Sequence, residues 1–148
     1  MKPRLLNRAW IFVSHSNKDF EKVRRVRNWL EVRKAKPLLF YLRSTFTDPQ
    51  LKQLLFREIA ARNFFLYCNS ANARSSAWVQ EELKHVRSLS GKVYAEIDLD
   101  CPVRHAVRHN IVELDRITRA STVFLSYARQ DRSKVMFFAR LLVQNEFS

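Results

Sequence analysis

Five times along this 148-residue chain a short apolar burst is followed by an amphipathic stretch. No other feature constrains the fold as tightly. The bursts are WIFVS at 10–14, PLLFYL at 37–42, FFLYC at 64–68, KVYAEIDL at 92–99 and TVFLSY at 122–127. Each is rich in aliphatic and aromatic residues and too short for a buried helix, so each reads as a strand. From about Asp19 a helix sets Phe20, Val23, Val26 and Leu30 at helical spacing, with Arg24, Arg25 and Arg27 elsewhere around it. Asp48-Pro49 is an N-cap and first-turn pair opening a helix that carries Leu51, Leu54, Leu55 and Ile59 inward. NSANARSSA reads as a polar loop, and WVQEELKHVRSL as a helix with Val79, Leu83 and Val86 on one side. Helices at about 104–119 and 131–144 follow, the last one burying Val135, Phe138 and Leu142.

Mostly continuous apolar strands need cover on both faces, which predicts a parallel sheet. The expected α/β fold is flavodoxin-like: a five-stranded parallel sheet in the order 2-1-3-4-5, with helices on both faces. KVYAEIDL alternates between apolar and polar residues and so belongs nearer an edge. Ligands of such sheets bind outside the carboxyl ends of the strands, at the switch point beside the first strand. That rule gathers SHSNKD, RSTFTD and NSANARSS around one crevice.

The chain also echoes itself. WIFVSHSNKDFEKVRRVRNWL at 10–30 aligns without gaps on TVFLSYARQDRSKVMFFARLL at 122–142. Phe12/Phe124, Ser14/Ser126, Asp19/Asp131, Lys22/Lys134, Val23/Val135 and Leu30/Leu142 are identical. Either a second copy of the domain begins at 122, or this βα unit completes one domain spanning 1–148. The second reading is preferred from sequence, because a lone βα unit has no core and the first four strands lack a fifth.

Composition removes several classes of function. The chain has one glycine, Gly91. Dinucleotide fingerprints and P-loops need several glycines for close approach of backbone to phosphate, so both are excluded. Cys68 and Cys101 lack CxxC spacing, and the amino terminus lacks a secretory pattern. Two free thiols in a reducing, cytoplasmic setting are expected. His105 and His109 stand at i, i+4 without a third ligand, so no metal site is expected. No apolar run is long enough to span a bilayer, so no membrane partner is expected. The net charge of +13 favours anionic partners. An acidic face of another protein is one; nucleic acid is a weaker one, because the charge is scattered and no RNP-like run accompanies it.

Three segments, in order, carry a resemblance. IFVSHSNKD is a strand followed by S-[HY]-x-x-x-D; LLFYLRSTFTDPQL supplies a second strand and a loop; SSAWVQEEL opens a helix with serine, tryptophan and glutamate. Together they resemble the TIR domain (Toll/interleukin-1 receptor/resistance protein), bacterial type, most strongly over 10–90. Many TIR domains cleave the nicotinamide–ribose bond of NAD+ with a glutamate four residues after the tryptophan, here Glu82. The resemblance therefore implies an NAD+ hydrolase or cyclase giving ADP-ribose or a cyclic ADP-ribose isomer, with NAD+ as substrate and no cofactor. It also implies a signalling or NAD+-depleting role in antiphage immunity, and self-association through TIR–TIR contacts involving the BB loop at 43–50. The alternative it carries is a non-catalytic TIR–TIR adaptor module.

The chemistry of Glu82 stands beside the name. Glycosidic cleavage passes through an oxocarbenium-like state that a nearby carboxylate stabilises. Glu81 points about 100° away on a helix and does not share the task. The competing reading makes Glu82 a first-turn acid at a helix start capped by Ser75 or Ser76. Candidate substrate contacts are Ser14, His15 and Ser16 at the end of the first strand, Lys18 and Arg43 for pyrophosphate, Phe46 for ring stacking and Trp78 for the pocket wall. Asp19 is expected to be an N-cap, and Cys68 to be core.

Overall fold

The computed structural model describes residues 9–40, 48–119 and 128–144. Four strands form one parallel sheet in the order β2-β1-β3-β4: β1 Trp10–Ser14, β2 Lys36–Leu38, β3 Phe64–Asn69 and β4 Val93–Asp98. The helices are α1 Phe20–Val32, α2 Pro49–Ala61, α3 Ala71–Arg74, α4 Ala77–Ser88, α5 Ile111–Arg119 and α6 Arg132–Gln144. The α/β class and the order of the first four strands are as expected. The fifth strand expected at 122–127 lies outside the described residues.

Pleating sorts the β1 side chains into two cores. Ile11 and Val13 pack with Val23, Val26 and Leu30 of α1 and with Leu114 and Ile117 of α5. Phe12 points the other way, to Leu55 and Ile59 of α2 and to Val79, Leu83 and Val86 of α4. Leu66 and Phe65 of β3 divide between the same two clusters. Both faces of the sheet are thus covered, which is why FFLYC is buried throughout.

Several local expectations are corrected. β2 is three residues rather than six, and only half-buried. Pro37 in its middle has no N–H to donate, and the strand bonds only β1 among the described strands, as suits an edge. Phe20, the first residue of α1, is half exposed, and the buried residues of the helix are Val23, Val26 and Leu30. The polar loop after β3 contains the single turn α3, which Ser70 caps by accepting from Ala73 N at 2.9 Å. The 104–119 helix is broken into two 3-10 turns, Val103–His105 and Arg108–Asn110, before α5. There Asn110 accepts from Asp98 N and donates to the Asp98 carbonyl, tying the segment to the end of β4.

The largest correction concerns α6. Its range agrees with expectation, but Phe138 is 60% exposed and Val135 only half-buried. The side chain of Leu142 lies outside the described residues. None of the other described side chains of α6 is buried. The pattern was amphipathic enough to form a helix, but no described surface receives its apolar side.

Candidate functional site

A crevice of about 290 Å³ opens at the carboxyl end of β1, where the strand order reverses. Its floor is the end of β1, with Phe12, His15 and Ser16 lining it. Asn72 and Ser75 come from the α3 segment, and Trp78 and Glu82 from α4. Phe40, after β2, closes one side and stacks on Phe12 at 6.1 Å.

Glu82 is 5% exposed, yet it lines this crevice. α4 begins at Ala77 after its N-cap Ser76, which places Glu82 in the second turn, and the first turn holds no acid. The helix-dipole reading of Glu82 therefore does not account for its position. The helix instead turns Glu82 inward, where Ser14 Oγ donates to its Oε2 at 2.5 Å across 68 residues of sequence. Burial pushes the Glu82 carboxyl up to about 7, against the Ser14 bond, which favours the charged form. Glu81 faces away and pairs with Lys52 of α2 at 3.1 Å, as the helical angle predicts.

The other candidates fall into place unevenly. Ser14 is almost fully buried behind the crevice, and its hydroxyl donates to Glu82. His15 is buried, and its Nδ1 lies 3.1 Å from the Val13 carbonyl, to which it donates as Nδ1–H. Burial lowers its pKa, so His15 meets the crevice as a neutral ring. Ser16 caps the 3-10 turn Asn17–Asp19 by accepting from Lys18 N. Lys18 lines the crevice from the exposed side, and Trp78 forms part of the wall. Arg43 and Phe46, with the rest of 41–47, lie outside the described residues.

Asp19 overturns its expected role. It precedes α1 but its side chain caps nothing. It is buried and accepts from Ser70 Oγ at 2.5 Å and from Asn72 Nδ2 at 2.8 Å. The loop after β1 is thereby locked to the loop after β3, and Asn72 is fixed in the crevice wall. Asn72 and Phe40 were missed from sequence. Asn72 sits in a run of polar loop residues without pattern, and Phe40 in an apolar burst that read as buried strand. Cys68, as expected, is core; burial first, then the nearby Asp19 charge, push its thiol far above the usual range, which makes it inert.

The crevice thus joins a buried carboxyl, raised by burial to about 7, to an aromatic wall and the exposed Lys18. No helix among the described residues is long and apolar enough to cross a membrane. No curated protein matches the chain. The model of one family, described as the TIR domain, matches residues 11–115.

Proposed function

The chain belongs to the TIR domain family, and on that premise we propose that it cleaves the nicotinamide–ribose bond of NAD+ with Glu82 as the catalytic carboxylate. The family includes NAD+-cleaving members, and the observation that carries the reading here is the buried Glu82–Ser14 pair opening onto the crevice. The C1′–N bond breaks with its electron pair leaving on nicotinamide, which departs neutral. The ribosyl cation left behind is stabilised by the Glu82 carboxylate, whose charged form the Ser14 bond favours. Water attacking C1′ and losing a proton gives ADP-ribose. Attack by an adenine nitrogen gives a cyclic isomer. Trp78 and Phe40 supply apolar wall for the bases, and Lys18 a positive charge for the pyrophosphate. TIR domains commonly self-associate, and such contacts through 43–50 are part of this proposal, as is a signalling or NAD+-depleting role in bacterial antiphage immunity.

The test is NAD+ turnover at high protein concentration, with products separated by chromatography. Glu82→Ala should lower nicotinamide release by on the order of 10²–10⁴-fold. Wild-type kcat/KM should fall as pH drops through about 7, because the carboxylate is needed. Equal rates in wild type and variant would remove Glu82 from the chemistry. No turnover in either would leave the interaction module, with its basic surface meeting an acidic partner, as the function.

A further inference from the structure

The echo between 10–30 and 122–142 continues into the backbone at a constant offset of 112 residues. The 3-10 turn Asn17–Asp19 is matched by the 3-10 turn Arg129–Asp131, and the start of α1 at Phe20 by the start of α6 at Arg132, with no slip between them. Ser16 has φ −81°, ψ 139°, and Ala128 has φ −75°, ψ 145°. Phe20 has φ −55°, ψ −35°, and Arg132 has φ −49°, ψ −45°. Asp19 N donates to the Ser16 carbonyl at 3.0 Å, and Asp131 N to the Ala128 carbonyl at 2.9 Å.

The six identical residues are not a random sample of α1 and its strand. In the first unit every one of them faces another part of the fold. Phe12, Val23 and Leu30 are core. Ser14 bonds Glu82, Asp19 bonds Ser70 and Asn72, and Lys22 Nζ donates to the Leu99 carbonyl at 2.7 Å. What the echo retains is therefore the set of contacts that a β1–α1 unit makes with a complete sheet. Yet Val135, the counterpart of fully buried Val23, is only half-buried, and Phe138, the counterpart of fully buried Val26, is 60% exposed. A helix closing the last layer of the first sheet would bury that side. The family match also stops at 115, before this segment.

We infer that the sequence 122–144 repeats the opening segment of the fold as the start of a second copy, and that the Val135–Phe138 side of α6 is the surface which that copy's own sheet covers. This reverses the preference drawn from sequence and does not depend on the catalytic reading. Met136 and Phe137 stand where α1 has Arg24 and Arg25, and the repeat does not explain their apolarity.

Two measurements on the full chain test the inference. The first is native-state hydrogen exchange. Amides of α6 should be protected at least on the order of 100-fold less than those of α1, because they open without the first core. Exchange of α6 and α1 in one cooperative event would overturn the inference. So would α6 protection that rises with protein concentration, since it would assign the face to contacts between chains. The second is a segment replacement, with the sequence of 122–144 substituted for 10–32 in the full chain. It carries Ser126, Asp131 and Lys134 to the places of Ser14, Asp19 and Lys22, so a cooperative thermal transition is expected. A shuffled 122–144 segment in the same place should give none. A replacement no better than the shuffled one would overturn the inference.

Discussion

α1 and α6 are the same helix in two circumstances. Both follow a 3-10 turn whose flanking residues have matching dihedral angles, and both start at the same place in the repeat. α1 buries Val23, Val26 and Leu30 completely, whereas α6 leaves Phe137 and Phe138 more than half exposed. Nearest-neighbour sequence sets the turn and the start. What a helix packs against is decided by residues far away in the chain, here β1, β3 and α5. A helix can therefore be present in full while contributing little to stability.

The most severe way to break the comparison is to place one charge on each helix. Val26→Asp buries an unpaired carboxylate among Ile11, Leu66 and Leu114. It should cost more than about 4 kcal/mol and abolish the cooperative thermal transition. Phe138→Asp on α6 should change the unfolding free energy measured in urea by no more than about 0.5 kcal/mol. Comparable losses from the two would mean that α6 belongs to the first core after all.

Period and burst length made the two-sided parallel sheet legible, and the Asp48 cap was legible too, since Asp48 Oδ1 accepts from Gln50 N and Leu51 N. Glu82 was legible as a candidate through its distance from Trp78. Its bond to Ser14 was not, because 68 residues separate the pair and only the β1–β3–α4 packing joins them. Asp19 was misread for the same reason. A local cap was the nearest explanation, and its partners Ser70 and Asn72 come from another loop. Periodicity also misjudged Phe138, since it states which side of a helix is apolar and nothing about whether a surface waits for it.

The next effect in size concerns the partner that β1 finds in α4. The buried Glu82 carboxyl is raised from its usual 4.5 to about 7. Between those two values the folded chain holds a proton that the unfolded chain has released. Stability therefore falls as pH rises through this window, and the loss is complete above about 7. The gap corresponds to about 3 kcal/mol. Glu82→Gln has no charge to bury, so it should match wild type at pH 4 and exceed it by about 3 kcal/mol at pH 8 while losing turnover. Urea titrations at the two pH values check this, and parallel curves would show that Glu82 does not titrate in the window.

A smaller effect separates the two aspartates of the echo. Asp19→Ala strips Ser70 and Asn72 of their acceptor in a buried setting, at a cost of about 2 kcal/mol. Asp131→Ala, half-buried ahead of α6, should stay within about 0.5 kcal/mol. The pair asks whether the polar half of the repeat is engaged in the first unit alone. Equal costs would mean that Asp131 already has a partner of similar worth.

The smallest effect tests whether a change confined to the end of α1 is felt by the whole domain. After α1 the chain turns through Lys34 at φ +63°, and Ala35 N donates back to the Leu30 carbonyl at 3.0 Å. A side chain in this left-handed region is strained by about 1 kcal/mol, and glycine removes that strain while adding freedom to the unfolded chain. Lys34→Gly should therefore stabilise by only about 0.5 kcal/mol. Because α1 folds with the sheet, that gain should appear in the global urea midpoint and equally in the slowest-exchanging amides of β1 and β3. If it appeared only in the last turn of α1, the helix would be fraying independently of the core. α1 would then differ from α6 in degree rather than in kind.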